Sequence, residues 1–561
     1  MRFIFLLFLP ACSFLYGQQQ HLKADITVDL SSEIGAFSRA WAWFGYDEPN
    51  YTYMKDGRKL LSDLAALSPV PVYIRTHNLL TSGDGTPALK WGSTNVYTED
   101  ANGNPVYNWQ IIDRIFDTWI ERGMKPLVEL GFMPEALSSK PKPYRHFWKP
   151  GDPYDDIYTG WSYPPEDYEK WATLIFNVVT HFIEKYGKEE VGTWLWELWN
   201  EPDIRYWGGT FDEYCKLYDF TADAVKRAFP AARIGGPHTT NPGSRNAGQF
   251  LEKFLNHCDT GINYVTGGRG APLDFIAFHA KGAPLFRDGV VRMNMGVQLR
   301  NVSRGFEIVA SHPKFRKLPV IIGECDPEGC AACGMDVYPQ NGYRNGTMYS
   351  VYTASSFARI FDLAIHHNVN LTGIVSWSFE FEDQPWFHGF RDLATNGVGK
   401  PVLNVFRMFG MMDGTRIEAH SDMGSGFESI IATGVRGDTP DIGVLASKRE
   451  KSAFVMIWNY HDDDIKAPDT PFEISIKPVP SERVTVNEYR IDSEHGNSFE
   501  AWKKMGSPLN PSPRQIRMLE EAAKLKPAGK LQKIKAESGK VLVSGSIQRQ
   551  GVSLFEIKWQ K

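Results

Sequence analysis

Two glutamates stand where apolar runs end, in settings suited to acid–base and nucleophilic work. The first closes Trp194-Leu195-Trp196-Glu197-Leu198-Trp199-Asn200-Glu201-Pro202-Asp203. That run reads as a buried strand, and Pro202 cannot continue a hydrogen-bond ladder. Glu201 therefore falls at the C-terminal lip of a strand. The second closes Leu318-Pro319-Val320-Ile321-Ile322-Gly323-Glu324, another apolar run with a carboxylate at its exit. Two carboxylates facing across a cleft are what cleavage of a glycosidic bond requires. One protonates the departing oxygen and the other attacks the anomeric carbon from the opposite side. Like charge and partial burial would keep one of them protonated at working pH. Glu201 is then the acid/base and Glu324 the nucleophile, roughly 5–5.5 Å apart, with retention of configuration. Asn200 is placed to hydrogen-bond a sugar 2-hydroxyl. A lone Glu-Pro is more often a turn in a structural strand; the Trp-Asn-Glu-Pro string and its downstream counterpart reverse that preference.

The elements that would position this pair follow a strand–loop–helix rhythm, which implies parallel strands joined by crossover helices. The glutamates lie roughly 120 residues apart, about three such units. One then follows a fourth strand and the other a seventh, whose ends face each other across a closed barrel. Candidate strands are 34–37 or 40–44, then 71–75, 125–130, 193–199, 233–236, 273–278, 319–323 and 372–377. Helical periodicity runs from Tyr107 to Arg122 and from Asp167 to Tyr186, the latter with Pro164-Pro165-Glu166 as a start signal. The fold class is therefore α/β, a (β/α)8 barrel over 33–414 followed by a β-sandwich over 415–561. Six short alternating runs in the tail read as its strands: 444–446, 453–459, 472–476, 484–490, 541–544 and 553–558. Residues 516–525 read as a short helix. Residues 23–30, within an N-terminal segment 18–32, alternate as a strand of a different sheet.

Composition narrows the partners. A chain of 561 residues is too long for one ordinary core, so a large domain plus a smaller one fits. The net charge of −5 offers no field for nucleic acid or anionic membranes. Seventeen tryptophans suit sugar rings, whose apolar faces stack on them. Residues 1–17 read as a signal peptide: Arg2 gives the positive start, and the apolar run from Phe3 to Ala11 is too short to span a bilayer. Lipidation at Cys12 is the second choice. The expected location is periplasmic or extracellular, with no membrane span.

The motifs resemble glycoside hydrolase family 39, the β-xylosidase and α-L-iduronidase family. The resemblance rests on Tyr73-Ile74-Arg75-Thr76-His77-Asn78-Leu79-Leu80, on Glu129-Leu130-Gly131-Phe132-Met133-Pro134-Glu135-Ala136-Leu137, on Trp199-Asn200-Glu201-Pro202-Asp203 and on Phe387-His388-Gly389. It implies that the N-terminal strand joins the sandwich. It also implies that His77 and His279 line the sugar subsite, that Trp377 floors it, and that Arg75 orients the nucleophile's neighbourhood. Each has a structural alternative: an arginine in a barrel strand is often a buried ion-pair partner, and a tryptophan is more often core. Two departures bear on substrate. In Phe278-His279-Ala280-Lys281-Gly282-Ala283, Lys281 stands where β-xylosidases tend to carry tyrosine, and the string is similar to that of iduronidases. A lysine there can read a uronate carboxylate; the plainer reading is a solvated or locally paired lysine. Arg391 is a weaker candidate for the same job. The second departure, Glu324-Cys325-Asp326-Pro327-Glu328-Gly329-Cys330-Ala331-Ala332-Cys333, also resembles iduronidases. Its thiols lack a fourth metal ligand, so a loop disulfide, for example Cys325 with Cys333 or Cys330, is expected over a metal, and the sequence leaves open which pair forms. Cys215 and Cys258 fall in helical patterns as core residues.

The expectation is a secreted, retaining, exo-acting glycoside hydrolase that needs no cofactor. It trims a non-reducing-end sugar, with an anionic sugar favoured, from polysaccharide-derived oligosaccharides. The alternatives are another terminal sugar such as L-rhamnose or L-arabinose, an endo-acting enzyme, or a non-catalytic carbohydrate-binding protein.

Overall fold

The computed structural model describes residues 23–67, 70–140, 149, 152 and 160–559. The signal-peptide reading and Cys12 lie outside them. Eight parallel strands close into a barrel: Trp43–Tyr46, Tyr73–Thr76, Lys125–Leu130, Leu195–Leu198, Arg233–Thr239, Phe275–Phe278, Pro319–Ile322 and Asn370–Trp377. Three are buried along their whole length and the other five beyond their first one to three residues, as strands covered on both faces must be. That pattern decides the first strand. Residues 34–36 belong instead to a long strand, Ala24–Ala36, whose burial alternates because one face meets water. The barrel starts at Trp43.

Helices cover the barrel. Gln110–Ile120 turns Ile112, Ile115, Phe116 and Trp119 inward. Tyr168–Tyr186 begins one turn later than its proline signal: the Asp167 carboxylate accepts the backbone N–H groups of Glu169 and Lys170, which makes Asp167 the cap. In the tail, Pro513–Ala522 starts earlier than periodicity indicates, because Ser512 and Gln515 form a capping box ahead of it.

The second domain is a nine-stranded, mostly antiparallel sheet. Its order is Gln532–Lys535, Arg483–Ile491, Val552–Trp559, Ser452–Tyr460, Asp441–Arg449, Thr415–Ser421, Ala24–Ala36, Thr470–Lys477 and Val541–Ile547. The sheet folds over on itself as a sandwich: Phe472 and Phe555, from strands far apart in that order, bring their rings within 5.7 Å. Ala24–Ala36 sits in its interior, antiparallel to Thr415–Ser421 and parallel to Thr470–Lys477. The sheet leans on the helix that follows the seventh barrel strand, Thr347–His367. There Arg359 donates to both Asp441 oxygens at 2.7 and 2.8 Å, and the Trp458 indole donates to the same carboxylate. Among the described residues no helix is long and apolar enough to cross a membrane.

Candidate active site

Glu201 and Glu324 lie just past the C-terminal ends of the fourth and seventh barrel strands, Leu195–Leu198 and Pro319–Ile322, and their side chains meet. One oxygen of each lies within 4.8 Å of the other and of a His279 ring nitrogen. Glu201 has a left-handed backbone (φ 45°), uncommon for a residue with a side chain. What holds it is another left-handed residue, His238 (φ 53°), whose carbonyl accepts the Glu201 N–H at 2.9 Å. His238 lies where the fifth strand slips register, so its ring leaves the ladder and enters the barrel. Asp203 ties down the far side of the turn by accepting the Thr240 N–H at 2.8 Å and the Thr240 hydroxyl.

Arg75, fully buried on the second strand, is the hub beneath the pair. It donates to Glu197 at 2.6 Å, Glu129 at 2.9 Å and the Asn200 carbonyl at 3.1 Å, and reaches Glu324 at 3.5 Å. Asn200 is therefore oriented with its oxygen on Arg75, leaving its amide nitrogen for a ligand. His77 joins Glu129 at 2.5 Å, and its other nitrogen lies 3.3 Å from both Asp47 and Glu324. Burial works against a charged His77, but the Glu129 carboxylate outweighs it and raises its pKa to about 9. His77 is thus an imidazolium at neutral pH. Lys90 completes this side by donating to Asp47 at 2.7 Å.

Lys281 sits between the two glutamates, with its ammonium 2.9 Å from Glu201 and 2.7 Å from Glu324. Burial would raise both carboxyl pKa values. The Lys281 charge overrides it, bringing Glu201 down to about 2 and holding Glu324 well below the usual carboxylate range. The expectation that mutual repulsion keeps one glutamate protonated is corrected here: in this resting arrangement both are anions, because an ammonium separates them. A metal ion in the same place would have to displace that ammonium.

Two predicted binding residues stand elsewhere than expected. Trp377 is 1% exposed; its ring lies under the Arg75 guanidinium at 4.8 Å and beside His77 at 4.4 Å, so it floors the charged hub and presents no open face to a sugar. Gly45 makes room for it, since a Cβ there would come within 2.4 Å of the indole. Arg391 is completely buried and donates to the carbonyls of Glu328 and Gly329, so it clamps the loop after the seventh strand. Arg344 holds the same loop through the carbonyls of Cys330 and Cys333. The disulfide joins Cys330 to Cys333, whose Cα atoms are 5.4 Å apart. Cys325 is free and buried, so of the three thiols whose pairing the sequence left open it is the one without a bridge. Its N–H is engaged by the Val375 carbonyl in the barrel wall, away from the turn that carries the other two thiols. Cys215 and Cys258 are buried in helices.

Against known proteins, the profile of the glycosyl hydrolases family 39 matches residues 26–541. The chain belongs to that family. Two curated relatives are a β-xylosidase of Caldicellulosiruptor saccharolyticus, 28% identical over 520 residues (89% of this chain, 92% of the relative), and an α-L-iduronidase of Mus musculus, 24% identical over 443 residues (74% and 63%). A crystal structure of a monomeric β-xylosidase from Caulobacter crescentus CB15 superposes with a TM-score of 0.72 at 22% identity, covering 96% of this chain and all of that one. That likeness bears on the fold. This family 39 member is a glycoside hydrolase of β-xylosidase/α-L-iduronidase type.

Sequence reasoning passed over Glu129, Glu197, Asp47 and His238 as parts of the site. For the first two a signal existed: each is a lone charge inside an apolar barrel strand, as Arg75 is, and three such charges at inward positions of adjacent strands must pair with one another. His238 had none, because its inward turn depends on the register slip.

Proposed function

We propose that this enzyme is a retaining exo-glycosidase, exported to the periplasm or beyond, that removes an anionic sugar from the non-reducing end of polysaccharide-derived oligosaccharides. The observation that carries the proposal is the pair of carboxylates within 4.8 Å of each other, bridged by one ammonium. That spacing suits direct attack by Glu324 and leaves no room for a water between the pair, as inversion would need. Substrate entering the mouth draws Lys281 off the glutamates. Relieved of that charge and still buried, Glu201 takes up a proton and delivers it to the departing oxygen. Glu324, kept ionised by His77 and Arg75, forms the glycosyl-enzyme bond. Glu201 then takes a proton from the water that releases the sugar.

Lys281 is the reason for favouring an anion. Its ammonium has three donors and no acceptor, and a carboxylate at C5 of the sugar would replace the two glutamates as its partner. A neutral pentose offers no such exchange, yet the curated relatives include both β-xylosidases and α-L-iduronidases. The test is release of sugar from aryl β-D-xyloside, α-L-iduronide, β-D-glucuronide, α-L-arabinoside and α-L-rhamnoside. Wild type, Glu324→Ala and Lys281→Met are compared. Uronide turnover that both variants lose is the expected result. Xyloside turnover alone keeps the mechanism and removes the anionic sugar. Turnover that survives in Glu324→Ala would remove Glu324 as nucleophile. N-terminal sequencing of the exported protein checks cleavage after Gly17.

A further inference from the structure

Behind Glu201 runs a buried chain of hydrogen-bonding groups that the steps above do not use. His279 Nδ1 lies 2.9 Å from Glu201 Oε1. His279 Nε2 lies 3.3 Å from His238 Nδ1. His238 Nε2 touches Glu197 Oε2, and among the described residues neither atom has a hydrogen-bond partner elsewhere. Glu197 Oε1 receives Arg75 Nε at 2.6 Å. Gly323 is what lets the two rings pack so closely: a Cβ there would stand 2.2 Å from His238 Nδ1 and 3.1 Å from His279.

The chain can be solved by counting protons. Three junctions join four groups, and each needs one shared proton. Two neutral imidazoles bring two. The third must sit on an end carboxyl or turn one ring into an imidazolium. The rings are poor hosts: burial holds His238 down to about 4 and lowers His279 as well. At the Glu197 end burial favours the acid, but the Arg75 guanidinium prevails and keeps the carboxylate ionised. With Lys281 in place Glu201 is no host either, since that ammonium and the contact with His279 bring it down to about 2; once the ammonium is withdrawn, burial and the Glu324 charge favour the acid there. The Glu201 O–H then donates to His279 Nδ1, His279 Nε2–H donates to His238 Nδ1, and His238 Nε2–H donates to Glu197.

We propose that His238 is a positioning residue that, by fixing the tautomer of His279, holds a proton on Glu201 whenever Lys281 is withdrawn. Its catalytic meaning rests on the reading of Glu201 as acid/base. Two opposed influences then set the state of Glu201: Lys281 makes it an anion at rest, and the imidazole chain makes it an acid once substrate has moved the ammonium. Glu324 and Asp203 add like charge on the same side, Arg75 is a cation acting on both rings, and the His77 imidazolium lies 3.3 Å from Glu324, whose same oxygen is 3.6 Å from His279.

The experiment reads the proton directly. In a Lys281→Met background, infrared difference spectra against Lys281→Met/Glu201→Gln isolate the Glu201 carboxyl stretch, which is followed against pH. Adding His238→Leu should lower the midpoint by about one pH unit, the scale of one hydrogen bond to the neutral acid. Adding His238→Gln should leave it near its starting value, because a glutamine oxygen can accept from His279 while its amide donates to Glu197. An unchanged midpoint in the leucine protein, or an equal fall in both, overturns the proposal. His238→Ala replaces the leucine variant where that does not fold. This titration needs no turnover, so it stands apart from the glycoside panel. Kinetics supply the second readout: with Lys281 intact, His238→Leu should slow phenyl glycosides about tenfold more than dinitrophenyl ones, whose leaving group needs little protonation. Glu201→Ala should show the same bias more strongly. No bias in Glu201→Ala would sink the acid/base reading itself, whereas bias there with none in His238→Leu would sink only the role of His238.

Discussion

The barrel mouth and the interior of the accessory sheet are equally buried and built from opposite materials. Around the mouth, Arg75, His77, Glu129, Glu197, His238, His279, Glu201 and Glu324 are all at most 6% exposed, and every one is ionisable. Inside the sheet the corresponding positions are Ile26, Val28, Val455, Ile474, Val543 and Phe555. Burying charges costs desolvation that their mutual attraction only partly returns, so such a network is a poor source of stability. Apolar burial is a good one, at about 25 cal/mol per Å². The contrast separates two duties: the mouth keeps groups in place for chemistry, and the sheet helps hold the fold that keeps the mouth closed around them.

The sharpest way to break that contrast is Arg75→Met. It removes donors from Glu197, Glu129, Asn200 and Glu324 at once and leaves buried carboxylates unpaired. Turnover should fall by at least about 100-fold, and denaturant unfolding should show a loss of about 3–5 kcal/mol. A variant as stable as wild type would mean the network does not act as a unit. Glu380, on the loop after the eighth strand, gives an intermediate effect. It is buried, one oxygen accepts the Gly397 N–H and the other has no partner among the described residues. Burial, with repulsion from Asp56, lifts its pKa from 4.5 to about 8. Folded protein therefore binds this proton between about pH 4.5 and 8 while the unfolded chain does not, and stability falls as pH rises through that window. Glu380→Gln, which mimics the protonated form, should gain on wild type in thermal unfolding between pH 5 and pH 8; a constant difference would contradict the shift. The smallest effect belongs to the sheet. Ile474→Val should cost about 0.5–1.5 kcal/mol and leave kcat and KM unchanged, and a kinetic change there would show that the two duties are not separate.

The same contrast governs what could be read from the chain alone. The positions of Glu201 and Glu324 were legible because a strand exit is written in apolar runs stopped by Pro202 and Gly323. The alternation in Ala24–Ala36 gave away a strand with one wet face. Contacts made across the barrel were not legible. Lys281 lies at the expected strand end, but its bridge between two glutamates depends on three strands closing around one point. Trp377 looked like a sugar platform because sequence cannot tell that a guanidinium already covers it. Arg391 and the thiol pairing were not legible for the same reason: the fold of one loop turns Arg391 to its carbonyls and Cys325 to the barrel wall, leaving Cys330 and Cys333 to pair.

The strand Ala24–Ala36 has a consequence for how the protein is made. It leaves the ribosome before any of the barrel, yet both its neighbours, Thr415–Ser421 and Thr470–Lys477, are translated about 380 or more residues later. At roughly 5–20 residues per second it waits some tens of seconds with both hydrogen-bonding edges unfilled. The barrel can close in that interval, and the accessory sheet then assembles around a strand that has been present from the start. A chain terminated before the tail therefore leaves both hydrogen-bonding edges of Ala24–Ala36 unfilled.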